Sequence, residues 1–72
     1  MKITDAKSFG AGICARRKEL GYTQASIAEF TGLSMSFLSD LENGKKTVQL
    51  EKALSVAMLL GLDITMSDRS MR

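Results

Sequence analysis

The sequence predicts an all-α domain, and three observations support that fold class. The 72-residue chain contains no proline, and its aromatic residues are one tyrosine and three phenylalanines. Residues with high helix propensity are frequent. Apolar residues recur at helical spacing in successive segments, which glycines separate. A chain of this length forms one domain, residues 1–72, and such small domains often gain stability by association. We therefore expect four to five helices around a small core.

The first helix is predicted to run from just after Thr4 or Asp5, either of which can cap it, to about Leu20. Gly21 follows as its stop. Two glycines lie inside this helix, at positions 10 and 12, and together they cost about 1–2 kcal/mol relative to alanine. They mark either close packing against another element or a late helix start.

The second helix is predicted from about Gln24 to Thr31, with Thr23 as its N-cap. Gly32 can adopt a positive φ, so it ends this helix and makes a tight turn. We expect the inward face of the helix to consist of Ile27, Ala28 and Phe30.

The third helix is predicted from Met35 to Glu42, with Ser34 as its cap. Its apolar side consists of Phe37, Leu38 and Leu41. The opposite side is small and polar, whereas a face that meets only solvent more often carries lysine and glutamate. Two short helices joined by a tight turn, here residues 24–42, form a helix-turn-helix unit, which carries its second helix into the major groove of DNA.

A fourth helix is predicted to begin at Thr47 or Val48 and to end at about Leu60. Its core stripe is expected to be Leu50, Ala53, Leu54 and Ala57. Val56 and Leu59 lie on another flank of the helix. Because so small a domain cannot cover both sides of a helix, this flank indicates a partner surface.

Apolar and polar residues alternate over residues 62–67, which predicts a short β-strand. No second strand is evident in the chain, and a lone strand leaves its backbone groups unpaired. We therefore expect the strand to pair with its own copy across a homodimer. The predicted dimer interface comprises Val56, Leu59, Leu62, Ile64 and Met66.

Composition restricts the possible chemistry. With one cysteine and no histidine, the chain offers no internal disulfide, no zinc site and no histidine-based catalysis. We expect no enzymatic activity, no metal and no cofactor. No signal peptide is evident at the N-terminus and no apolar run is long enough to span a membrane. The chain therefore fits a reducing cytoplasm.

The net charge of +2 is mild, but its distribution is uneven. Residues 1–20 contain five basic residues against two acidic ones, whereas residues 21–44 contain three acidic residues and no basic one. Lys45 and Lys46 follow directly. Attraction to phosphates must therefore come from residues that flank the third helix.

The motif LGYTQASIAEFTG, followed by LSDLENGK, resembles the helix-turn-helix family of the XRE type, which includes the lambda and 434 repressors. The resemblance covers about Phe9 to Leu62 and implies a lambda-repressor-like DNA-binding domain. It implies base contacts by Ser34, Met35, Ser36, Ser39 and Asp40. It also implies phosphate contacts by Gln24 and Asn43. We expect Thr23 to contribute a further phosphate contact, and Lys45 and Lys46 can reach the DNA backbone with their charges.

Two details of these implied contacts remain alternatives. Asp40 is either a repelled bystander or an acceptor of a hydrogen bond from cytosine N4. Arg17 and Glu42 match a charge pair with which the family ties its first helix to the end of its third. The alternative is two independent surface charges.

The ending LGLDITMSD resembles the small antitoxins that partner Hip-type kinase toxins. The resemblance implies a dimeric repressor that ends in a strand pairing across the dimer, represses its own operon and binds a kinase-type toxin. Three other functions remain open: a phage-type or free-standing repressor, a restriction–modification controller protein, and an adaptor that uses the same fold for protein contacts alone.

Overall fold

A computed structural model describes residues 2–69 and contains four helices in that range. Helix α1 spans Ala6–Glu19 and α2 spans Gln24–Thr31. Helix α3 spans Met35–Glu42 and α4 spans Leu50–Leu59. The all-α prediction is confirmed with four helices.

Local hydrogen bonds explain where the first three helices begin. The carboxylate of Asp5 accepts a hydrogen bond from the backbone N–H of Ser8 at 2.7 Å, so Asp5, and not Thr4, is the cap of α1. This backbone hydrogen bond lowers the pKa of Asp5. Thr23 caps α2 in the same way through Ser26, and Ser34 caps α3. All three caps satisfy N–H groups that have no partner within their own helix.

The turn between α2 and α3 depends on Gly32 and Thr31. Gly32 has a φ of 76°, and its N–H donates to the carbonyl of Ala28 at 2.8 Å. The Thr31 hydroxyl donates to the carbonyl of Ile27 and accepts from the N–H of Leu33. The positive φ is accessible to glycine without steric cost, which is why a short turn can redirect the chain here.

The core lies where the four helices meet, and α1 packs directly on α3. A Cβ atom at Gly10 would collide with the carbonyl oxygen of Leu41 and lie 2.9 Å from that of Glu42. Because α1 begins at Ala6, Gly10 reflects close packing and not a late helix start. The buried apolar residues are Ile13, Ile27, Leu38, Leu41, Ala53, Val56, Ala57 and Leu60.

Helix α4 differs from its prediction in both start and orientation. It begins at Leu50, after an N-cap, Gln49, whose side chain makes no capping hydrogen bond. Its buried stripe contains Val56, which is only 1% exposed, whereas Leu50 is 69% exposed. The assignment of Val56 to a dimer surface and of Leu50 to the core was therefore wrong. Both stripes have helical spacing, and the position of the other helices decides which one is buried.

Phe30 was also wrongly assigned to the core, because it is 66% exposed. Ile27 is the buried residue of α2. The ring of Phe30 instead packs edge-on against Tyr22, with 6.0 Å between centroids and 73° between planes. It therefore lies over the connection between α1 and α2.

The predicted strand is absent from the described chain, in which residues 62–68 have no regular secondary structure. The N–H of Leu62 donates to the carbonyl of Ala57 and so completes the end of α4, and its side chain packs against the core. Ile64 and Met66 are exposed. A strand needs a second backbone to pair with, and the described part of one chain offers none.

Candidate nucleic-acid interface

Helix α3 turns its small polar side away from the core. Leu38 and Leu41 are buried, and the opposite face carries the residues that were predicted to read bases. Ser36 and Met35 are exposed, and Ser39 and Asp40 are half-buried. Ser34 is exposed, but its hydroxyl oxygen already accepts from the N–H of Phe37 at 3.0 Å. The Ser34 hydroxyl therefore keeps its proton and one further lone pair for an outside group.

Polar contacts connect this face to the turn that follows α3. Asn43 donates through Nδ2 to Oγ of Ser39 at 3.3 Å. Lys45 Nζ lies 3.3 Å from Oδ2 of Asp40, in an exposed ion pair. Exposed pairs of this kind contribute at most about 1 kcal/mol, so either partner can exchange it for an outside group at little cost. The structure thus brings predicted base-reading and phosphate-binding residues together at one end of α3.

The N-terminus of α2 adjoins the C-terminus of α3. Gln24, the first residue of α2, donates through Nε2 to Oε1 of Glu42 at 3.1 Å. The cap residue Thr23 precedes it and is exposed. A helix N-terminus presents free N–H groups and the positive end of the helix dipole, which together favour an anion.

Arg17 and Glu42 form a bidentate ion pair. Nε and Nη2 of Arg17 donate to the two carboxylate oxygens at 2.7 and 3.0 Å, and the side chains are only 12% and 5% exposed. Burial by itself raises the pKa of Glu42, but the hydrogen bonds from Arg17 and Gln24 outweigh it, and the pKa is lowered. The hydrogen bond to Glu42 raises the pKa of Arg17. Both groups are therefore charged at neutral pH.

The same guanidinium reaches a third element of the fold. Nη1 of Arg17 donates to the backbone carbonyl of Tyr22 at 2.8 Å, directly before the cap of α2. One ion pair thus connects the end of α1, the approach to α2 and the end of α3. The contacts to Gln24 and Tyr22 had not been predicted, because helical periodicity carries no information on contacts between residues far apart in the chain.

Lys7, near the start of α1, is a further basic residue at this end of α3 and was not among the predicted phosphate contacts. A Cβ atom at Gly44 would lie 2.7 Å from the Cα of Lys7, so the start of α1 packs on the turn after α3. The charges of both Lys7 and Lys46 help to lower the pKa of Asp5, which places them near the same carboxylate. Lys7, Lys45 and Lys46 are all exposed. We call these three residues the basic cluster.

The described residues contain no group of three or more histidine, cysteine, aspartate or glutamate side chains that could hold a metal ion. Over residues 2–69, no helix is long and apolar enough to cross a membrane. Cys14 is half-buried, and its sulfur lies 3.8 Å from Nη2 of Arg17. The site therefore offers hydrogen-bonding groups on the outer face of α3 and positive charge at one end of that helix.

Comparison with known proteins agrees with this geometry. A family model described as "Helix-turn-helix" matches residues 15–66. The "ImmF control region 10 kDa protein" of Bacillus phage phi105 is 36% identical over 62 residues, which cover 86% of this chain and 69% of that protein. The "Uncharacterized HTH-type transcriptional regulator y4mF" of Sinorhizobium fredii is 36% identical over 63 residues, covering 88% and 83%.

Solved structures of similar fold extend the likeness over nearly the whole chain. Two of them are the "HipB-O4 20mer complex" and the "Structure of HipA-HipB-O2-O3 complex". Each superposes with a TM-score of 0.85 at 23% sequence identity, covering 96% of this chain and 97% of the other. At that identity the likeness establishes the fold alone. The family match over residues 15–66 and the 36% identity to the Sinorhizobium regulator give the assignment: the chain belongs to the helix-turn-helix family of the XRE type, a family of non-enzymatic, DNA-binding transcriptional regulators.

Proposed function

We propose that this chain is a dimeric transcriptional repressor that binds a two-fold symmetric operator and excludes RNA polymerase from it. The observation that carries the proposal is the polar outer face of α3, which the core leaves open and which the basic cluster and the N-terminus of α2 flank. Ser36 and Ser39 can donate to or accept from base edges, Asp40 can accept from cytosine N4, and Met35 can pack on a thymine methyl group.

Phosphate contacts come from the rim of this face. Thr23 and Gln24 lie at the start of α2, and Asn43 lies at the end of α3. Lys45 and Lys46 follow Asn43, and Lys7 adds a charge from α1. Such contacts set the position of the protein on the duplex, and the residues of α3 supply the preference for sequence.

A homodimer is needed because one chain offers one reading helix. Two half-sites lie about 34 Å apart, one turn of DNA, when two such helices enter the same side of the duplex. The exposed apolar residues near the C-terminus supply a surface for the second copy, namely Met58, Leu59, Ile64 and Met66. Residues 62–67 of two copies would pair as a two-stranded ribbon, which satisfies the backbone groups that one chain leaves open.

The finer proposal is that the repressor is an antitoxin that represses its own operon and binds a kinase-type toxin. Its support is the structural likeness to HipB, which extends over 96% of the chain and includes a solved complex that holds HipA beside HipB. The ending LGLDITMSD gives the same indication. A phage-type or free-standing repressor is the second candidate, which the similarity to the phi105 control-region protein favours.

Selection from random duplexes tests the repressor proposal. We expect an inverted repeat with half-sites one helical turn apart, bound by two copies of the chain. Replacing Lys45 and Lys46 by alanine should weaken all duplexes alike and lower the slope of log affinity against log salt by up to about 2. If no sequence is enriched, an adaptor that uses this fold for protein contacts becomes the better proposal.

The antitoxin proposal can be tested by identifying the protein that the neighbouring gene encodes. If it is a kinase-like protein that co-purifies with the chain and tightens operator binding, the antitoxin function is supported. If the chain binds its operator alone and the neighbouring product does not associate with it, the free-standing repressor is favoured.

A further inference from the structure

The carboxylate of Glu42 has partners beyond those that an ion pair between helices requires, namely the Gln24 amide and the Cys14 thiol. It accepts two hydrogen bonds from Arg17, and its Oε1 also accepts one from Nε2 of Gln24 at 3.1 Å. The side chain of Glu42 is 5% exposed, so water cannot easily replace Gln24 as a partner. Gln24 is half-buried and is the first residue of α2.

This contact determines which way the amide of Gln24 points. An ionised carboxylate can only accept hydrogen bonds, so Gln24 must turn its NH₂ group, and not its carbonyl oxygen, toward Glu42. The NH₂ group has two hydrogens, and Oε1 of Glu42 accepts one of them. The other remains available to a group outside the protein. An amide that could flip would instead present its carbonyl oxygen, which repels a phosphate.

Arg17 makes the arrangement compatible with a nearby anion. Its guanidinium is bound to Glu42 at 2.7 Å and offsets the negative charge that the carboxylate would otherwise direct at a phosphate. It also holds the carbonyl of Tyr22, two residues before Gln24. The Arg17–Glu42 ion pair therefore holds both the backbone that leads into α2 and the side chain at the first position of α2.

We propose that Glu42 is a positioning residue for DNA binding, whose carboxylate holds the Gln24 amide in the orientation that offers an N–H to a backbone phosphate. The inference rests on the proposed function, because it assumes that the start of α2 faces the duplex. Glu42 itself touches no DNA and acts through Gln24. This role is additional to its structural pairing with Arg17.

The first test is NMR of the side-chain amide protons in the unmutated chain. Gln49 is the matched control, because it is exposed and its side chain makes no capping hydrogen bond. In the free protein, we expect one amide proton of Gln24 to differ in shift and exchange rate from those of Gln49. On adding a random-sequence duplex of roughly two helical turns at low salt, the second proton of Gln24 should move. Equivalent behaviour of Gln24 and Gln49 in the free protein would overturn the proposal.

The second test is a double-mutant cycle in duplex binding with Q24A, E42Q and the double variant. Q24A should weaken binding by about tenfold, as for one hydrogen bond to a charged group. E42Q should weaken it by a similar factor, and adding Q24A to E42Q should cost less than about twofold. Q49A should leave affinity unchanged. A tenfold loss from Q24A in both backgrounds would mean that Glu42 has no role beyond folding.

The two tests separate this inference from the proposed function. If the unmutated chain binds no duplex, the proposed function fails, whatever the amide protons of Gln24 show. If it binds and the cycle is additive, the proposed function stands and the positioning role fails. If E42Q does not fold, the NMR comparison of Gln24 with Gln49 in the unmutated chain decides the positioning role.

Discussion

Removing one partner of the Arg17–Glu42 pair should cost far more stability than removing both. In R17M the carboxylate of Glu42 stays buried, with the Gln24 amide and the Cys14 thiol as its remaining donors. A buried charge left in this way costs about 3–5 kcal/mol. A domain of 72 residues has a free energy of unfolding of about 4–11 kcal/mol, at roughly 0.05–0.15 kcal/mol per residue. R17M should therefore lose a large fraction of the total.

The double variant R17M/E42M replaces both charged groups with apolar side chains. Such replacements are often neutral or stabilising, because neither charge must then be desolvated. Because R17M alone costs about 3–5 kcal/mol and the double variant should cost little, we expect a coupling energy of at least about 3 kcal/mol between the two positions, at the upper end of the range measured for residues in contact. Urea denaturation at one fixed protein concentration would measure it, since association also contributes to stability. Additive losses would refute the reasoning.

Acid should distinguish R17M from the unmutated chain. Because folding lowers the pKa of Glu42 from its ordinary value of about 4.5, the stability that this carboxylate contributes is present above that value and is lost as the pH falls through the lower, folded value. R17M removes the hydrogen bonds and the charge of Arg17 that lower this pKa and leaves the burial that raises it, so we expect the pKa of Glu42 to rise and acidification to relieve a buried charge. The stability difference between the two proteins should therefore narrow from pH 7 toward pH 4. The pKa of Asp5 is also lowered, but its effect on stability is the same in both proteins and therefore does not change the difference between them. A constant difference would show that Glu42 is not the titrating group.

Three further predictions concern packing, reading and association. G10A should lower the free energy of unfolding by about 2–3 kcal/mol, because the new Cβ meets backbone carbonyls that cannot rotate away. G32A has open space around it and should cost about 1 kcal/mol from its positive φ alone. Urea denaturation measures both losses, and equal losses would contradict the close packing of α1 on α3. S36A and S39A should alter preference at particular base pairs in a selection experiment, and equal weakening on every duplex would exclude them as base readers. Thr65→Pro should reduce both dimer content in sedimentation and operator affinity while circular dichroism stays unchanged, and an undiminished dimer would exclude residues 62–67 as the contact.

The sequence by itself was enough to place the first three helices and the polar face of α3. Each depends on residues a few positions apart. Thr23 and Ser34 cap their helices through hydrogen bonds three residues along the chain, and Gly32 makes the turn through its own φ. The 3.6-residue period then separates the polar side of α3 from Leu38 and Leu41. A family resemblance, and not periodicity, predicted which of these residues would contact DNA.

Only the tertiary structure decided which of two overlapping stripes α4 buries. Ala53 and Ala57 belong to both stripes, and Leu50 and Val56 are each apolar enough to extend one of them. The choice of Val56 depends on where the other helices lie. Likewise, the contact of Glu42 with Gln24 and the approach of Lys7 to Gly44 join residues far apart in sequence. Local propensity determines what a segment can form, whereas the contacts between segments depend on packing. The segment 62–67 is the limiting case, because its alternation can become a strand only when a second backbone pairs with it.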